Sequence, residues 1–266
     1  MLNYPWLKLT VISSIVCMLS ACQSNMESTP SVTKKSSEAT PTYRYNPTAA
    51  IYNTQLGIAY LRQGEHDRAK QKLLIAEKQD PKSAMVLDAK AYFLEMTGDI
   101  QQAQSYYTKA IKLNPGMGIA LNNYGSFLCR QKQFVAAEKQ FLLAVKDARY
   151  LSIGEAYENA GLCAMKAQQY VKAEDYLLKA LQKQPKLTSS LLSLARIYYD
   201  RKDYLAAKQY LQRFNRFGNS EPEALELAIL LAEQDGDPNT IQTNLANLGK
   251  LFPDSSEYQK MREHYG

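Results

Sequence analysis

The chain has 266 residues, 45% hydrophobic and 22% charged, with a formal net charge of +6. That size and balance fit an ordinary globular protein built as one elongated domain or two compact ones. Lysines and glutamates are interspersed without a basic run, and no nucleic-acid motif is present. The charge therefore reads as a solvated surface with a mild preference for acidic partners, and a nucleic-acid partner is not expected.

The first segment sets the compartment. Lys8 gives a basic start, Leu9 to Leu19 form a short apolar run, and Leu19-Ser20-Ala21-Cys22 closes it. The run is about half the ~20 residues that a spanning helix needs, and its layout is that of an export signal. The closing tetrapeptide resembles the bacterial lipobox. That resemblance implies a lipoprotein signal at residues 1–21, cleavage before Cys22 and acylation of Cys22 as the first mature residue. Gln23 follows where an Asp usually favours inner-membrane retention, so the expectation is an outer-membrane, lipid-anchored protein facing the periplasm. Several acyl chains hold far better than one, at about 0.8 kcal/mol per buried CH₂.

Residues 22–45 are rich in Ser, Thr, Pro and Lys. Such a segment cannot bury enough apolar surface to offset its ordering entropy, which predicts a flexible tether. Its typical reach is roughly 25–30 Å.

Residues 46–253 carry a repeat. Gly57, Ala91 and Gly125 recur every 34 residues, as do Ala69, Ala103 and Ala137 and the pair Pro81 and Pro115. After an insertion near Tyr150 the series resumes with Gly161 and Ala195, Ala173 and Ala207, and Pro185. This is the period of the tetratricopeptide repeat (TPR), a pair of antiparallel helices. Small residues let the two helices approach, and large ones (Leu56, Tyr60, Leu73, Leu94, Tyr107) are expected to fill the space around them. Gly64 and Gly98 supply positive φ at the turns. Each proline pushes the residue before it out of the α region and ends the second helix. The predicted fold is all-α, a superhelix of about six hairpins, with residues 254–266 as a polar capping helix. The fifth and sixth units are irregular, with Phe214 where alanine is usual and Gly236-Asp237-Pro238 at the last turn.

No catalytic, metal or cofactor constellation emerges. His66 and His264 stand in no metal-ligand spacing, and Gly116 and Gly118 follow no strand that would make them a phosphate loop. A small-molecule substrate is not expected, and the reading is a binding protein rather than an enzyme. Cys129 and Cys163 fall on first helices of adjacent units. In an oxidising compartment they could pair, but a bridge needs Cα atoms within about 7 Å, while helix axes usually lie ~8–10 Å apart. A disulfide and two buried thiols both stay open at this point. A thiol enzyme is disfavoured because no C-x-x-C arrangement is present.

In TPR superhelices, positions two, five, six, nine, twelve and thirteen face the concave groove. That predicts a partner-binding track of Thr54, Ile58, Leu61, Asp88, Tyr92, Glu95, Asn122, Asn123, Ser126, Glu158, Asn159 and Leu162. The mixture suits a peptide or helix with apolar anchors, although Ile58 and Leu61 could equally pack between repeats. Thr54 and Ile58 stand where the carboxylate clamp of chaperone adaptors wants lysine and asparagine, which disfavours a reader of C-terminal carboxylates.

The segments Asn123-Tyr124-Gly125-Ser126-Phe127-Leu128-Cys129 and Glu158-Asn159-Ala160-Gly161-Leu162-Cys163 resemble the type IV pilus biogenesis and stability lipoproteins of the PilW/PilF family. The lipobox, the six repeats and Leu56-Gly57-Ile58-Ala59-Tyr60-Leu61 are similar too. The resemblance implies a pilotin, an outer-membrane lipoprotein that binds the secretin subunit and promotes its localisation and multimerisation. A TPR lipoprotein scaffold for a cell-wall synthase or for outer-membrane barrel assembly is the alternative.

Overall fold

The computed structural model describes residues 44–265, all within the compact unit Tyr43–Gly266. The expected signal, Cys22 and the tether up to residue 43 lie outside the described residues. Among those described there are thirteen helices and no strand. They form six antiparallel hairpins: α1 (Pro47–Arg62) with α2 (His66–Gln79), α3 (Ala84–Met96) with α4 (Ile100–Leu113), α5 (Gly118–Arg130) with α6 (Phe134–Ala144), α7 (Ile153–Lys166) with α8 (Tyr170–Lys183), α9 (Thr188–Asp200) with α10 (Tyr204–Phe217), and α11 (Pro222–Asp235) with α12 (Pro238–Leu251). A last helix, α13 (Ser256–Tyr265), packs on α11 and α12. None of the described helices is long and apolar enough to cross a membrane.

Local chemistry sets the helix ends. Asn46, Ser83, Asp99, Asp203 and Asp237 each accept a hydrogen bond from a first-turn backbone N–H, satisfying donors that the helix itself cannot. Asp80, Asn114 and Gln184 leave the helical region at φ −147°, −138° and −139°, each just before a proline. The small residues act as expected. A Cβ on Gly57 would lie 2.8 Å from Leu73, one on Gly125 2.7 Å from Phe141, and one on Gly161 2.7 Å from Leu177. Leu73, Phe141 and Leu177 are fully buried, so each glycine admits the main side chain of its own hairpin.

Leu56 departs from expectation. It is 44% exposed, because it lies on a face of α1 that no described hairpin covers. Phe214 fits its site: it is fully buried and lies against Gly218 at the end of α10. The cap is less polar in its role than in its composition. Met261 is buried, and Tyr258 lies over Gly249 of α12.

All six hairpin turns place one residue at positive φ: Gly64, Gly98, Lys132, Gln168, Lys202 and Gly236, between 57° and 89°. Three are not glycine, and a side chain in this left-handed region costs about 1–2 kcal/mol. Lys132→Gly and Gln168→Gly are therefore each expected to raise stability by about 0.5–1 kcal/mol after the extra unfolded-state entropy of glycine is deducted. Thermal melts would read this, and a lowered melting temperature in both variants would refute it.

Candidate functional site: the first-helix face

Consecutive first helices run backbone to backbone along the stack, whereas consecutive second helices stand further apart and meet through long side chains, as where Tyr106 donates to Glu77 and Tyr176 to Glu138. The hairpins fan open on the second-helix side, so the first helices line the closed, inner side. Charge divides the same way. The six second helices hold fourteen Lys and Arg against five Asp and Glu, and the six first helices hold five against nine. The net positive charge therefore sits outside, and the preference for acidic partners expected from the whole chain does not apply to the inner face.

The inner face is crossed by a ladder of polar pairs between neighbouring first helices. Asn123 donates to Asp88 at 2.8 Å, Asn159 to Asn122 at 3.0 Å, and the Ser190 hydroxyl to Glu158 at 2.7 Å. The Arg130 guanidinium and the Tyr107 hydroxyl both donate to Glu95, each at 3.0 Å. Arg196 and Lys260 converge on buried Glu226 at 2.6 and 2.7 Å, tying α9 and α13 to α11. Burial, with Glu95 beside it, pushes the Tyr107 phenol well above its ordinary pKa. Asp88 is the outlier. Burial pushes its carboxyl up to about 7, against the opposing pull of the Asn123 amide, and one of its oxygens has no hydrogen-bond partner.

This ladder corrects part of the expected binding track. Thr54, Leu61, Asp88, Glu95 and Asn122 are all buried and present almost no surface to a partner. Thr54 turns its hydroxyl onto the Ala50 carbonyl at 2.7 Å, and Leu61 belongs to the apolar core between the first two hairpins. Ile58, Tyr92, Asn123, Ser126, Glu158, Asn159 and Leu162 remain partly exposed. Tyr107, Arg130, Ser190, Arg196 and Glu226 were absent from the expected set. Polar residues about 35 positions apart on successive first helices would have pointed to the first pairs of the ladder.

Cys129 and Cys163 are disulfide-bonded, with Cα atoms 5.8 Å apart. The bond joins α5 to α7 within an apolar cluster that includes Phe127, Phe141 and Tyr176. Cα atoms lie about 2.3 Å from their helix axes, so residues facing each other across two helices of ordinary axial separation come within bridging distance, as these two do. Both sulfurs are engaged and buried, which leaves neither as a free nucleophile. Among the described residues, no group of His, Cys, Asp and Glu is arranged to hold a metal. His66 is exposed at the start of α2, and His264 stands 3.7 Å from Glu233.

Comparison with known proteins agrees with this architecture. Family models described as tetratricopeptide repeat match residues 54–83, 94–151 and 189–220. The type IV pilus assembly protein PilF of Pseudomonas aeruginosa is 32% identical over 208 residues, covering 78% of this chain and 82% of PilF. A solved structure of P. aeruginosa PilF superposes with a TM-score of 0.75 at 31% identity, covering 82% of this chain and 98% of that one. PilW, described as a widely conserved type IV pilus biogenesis factor, superposes with a TM-score of 0.72 at 27% identity, covering 82% of this chain and 99% of that one. With its repeats and a similarity that spans about four fifths of its length, the chain belongs to the PilF/PilW family of TPR proteins of type IV pilus biogenesis.

Proposed function

We propose that this protein is a pilotin: an outer-membrane lipoprotein, anchored through Cys22, that binds the type IV pilus secretin subunit and promotes its localisation and multimerisation. The observation that carries the reading is the similarity to PilF across most of both chains. It acts by holding a partner rather than by catalysis. The partly exposed inner residues Ile58, Tyr92, Asn123, Ser126, Asn159 and Leu162 offer apolar anchors beside amide and hydroxyl groups. The acidic excess of the first helices lies on α11, with Glu223, Glu226, Glu233 and Asp235, so the groove beside the exposed inner residues is close to neutral and favours a segment with apolar and polar side chains.

Deleting the gene is expected to lower secretin multimers in the outer membrane and to remove surface pili. A photocrosslinker placed at Tyr92, Ser126 or Leu162 is expected to capture the secretin subunit. Normal outer-membrane multimers in the deletion strain would overturn the proposal. Crosslinks only to a cell-wall synthase or to barrel-assembly proteins would transfer the protein to the scaffold alternative.

A further inference from the structure

The outer edge of the stack carries a row of exposed apolar side chains that the fold does not use. Val135, Val171 and Leu205 are each the second residue of a second helix, in α6, α8 and α10, and are 79%, 77% and 70% exposed. The equivalent residues of the other three hairpins are Asp67, Gln101 and Asn239. The apolar choice is thus confined to three consecutive hairpins, and it contributes nothing to the core. With neighbouring hairpins roughly 10 Å apart, the three side chains form a ledge about 20 Å long. Tyr170, which is 46% exposed, adjoins it.

Lysines flank every step of this ledge. Lys132 and Lys202 occupy the turn tips, Lys139 follows Val135 by one helical turn, and Lys172 follows Val171 directly. Across residues 130–139, 166–175 and 200–208 there are eight Lys and Arg against five Asp and Glu. The acids nearest the ledge are already engaged. Glu138 accepts from Lys172 and Tyr176, Glu174 from Arg201 and Tyr198, and Asp203 caps α10. A second copy of the chain would bring lysines against lysines.

We infer that this edge rests on the surface of a bilayer containing anionic phospholipid. Val135, Val171 and Leu205 would enter the acyl boundary, Tyr170 would sit at headgroup depth, and Lys132, Lys139 and Lys202 would reach the phosphates, Lys172 being held by Glu138. Single projecting apolar residues set among lysines and a tyrosine combine buried apolar area with headgroup attraction, which together set interfacial affinity. Lysine stems can lie along the apolar boundary while their ammonium groups stay in water. Such contact would fix which way the inner face points instead of leaving it to a tether.

The test uses the full chain purified with its N-terminus intact and bound to vesicles of phosphatidylethanolamine and phosphatidylglycerol. Nitroxides are placed through Val171→Cys and Leu205→Cys, with Gln101→Cys as the equivalent position outside the ledge. The expected result is a several-fold rise in collisions with oxygen relative to a water-soluble nickel complex at 171 and 205 but not at 101. The rise should be smaller on phosphatidylcholine vesicles. Failure of the chain to bind either vesicle overturns the proposal. Solution-like ratios at 171 and 205 on bound chain also overturn it, and leave the ledge to a protein partner. Secretin multimerisation in cells is a separate readout, so the failure of this proposal and of the pilotin reading can be told apart.

Discussion

Breaking the Cys129–Cys163 bond is expected to cost about 3–4 kcal/mol of stability. The two residues are 34 positions apart, and closing a loop of that length in the unfolded chain removes entropy worth roughly this much at room temperature. Native domains are stable by only about 5–15 kcal/mol in all, so the bond is a large share. The effect should concentrate at the junction of the third and fourth hairpins, where the bond, the Asn159–Asn122 pair and the cluster around Phe141 coincide. Cys129→Ser with Cys163→Ser is expected to lower the thermal midpoint by several degrees, and reductant should lower that of the native chain but not of the double variant. Because both sulfurs are buried, reduction should proceed only as this junction opens. Superimposable melts for the native and doubly substituted chains would show that stacking alone holds the junction.

The second large effect belongs to Asp88 and depends on pH. Its carboxyl is lifted by burial from 3.8 to about 7, so the folded chain keeps a proton that the unfolded chain releases. Below about pH 4 the carboxyl is protonated in both states and costs nothing. As pH rises towards 7 only the unfolded state ionises, and stability falls by about 1.4 kcal/mol per pH unit. Above that the loss levels off. Between pH 5 and pH 8 the expected loss is about 2–3 kcal/mol. Asp88→Asn keeps an acceptor oxygen for the Asn123 amide and cannot ionise, so it should remove most of this slope and be more stable than the native chain at pH 8. Urea unfolding of both proteins at the two pH values measures the difference directly. Parallel pH dependences would mean that the carboxylate is stabilised in some way other than through Asn123.

Much of the architecture was legible in advance because the constraints are local or strictly periodic. Gly57, Gly125 and Gly161 are small because the opposing helix of the same hairpin places Leu73, Phe141 or Leu177 against them. Prolines 81, 115 and 185 end helices by acting on the residue before them. The turn at Lys132, Gln168 and Lys202 was harder to see, because the stack imposes a left-handed conformation that those residues do not favour by themselves.

The inner face was only half legible. The repeat position of Asp88, Glu95 and Asn122 told which side of the helix they occupy, but not that a polar residue on the next hairpin would meet and bury them. The cysteines behaved similarly, since spacing brought them onto neighbouring helices while bonding depended on a Cα separation of 5.8 Å.

From its sequence alone this protein was determined to be a stack of paired helices, because a 34-residue period of small, large and helix-ending residues has one packing solution. Only the tertiary structure decided which inner residues bond to each other, which remain open to a partner, and that the net positive charge lies on the outer helices. Those outcomes depend on the separation and curvature between hairpins, set by side chains that meet across the stack rather than along the chain.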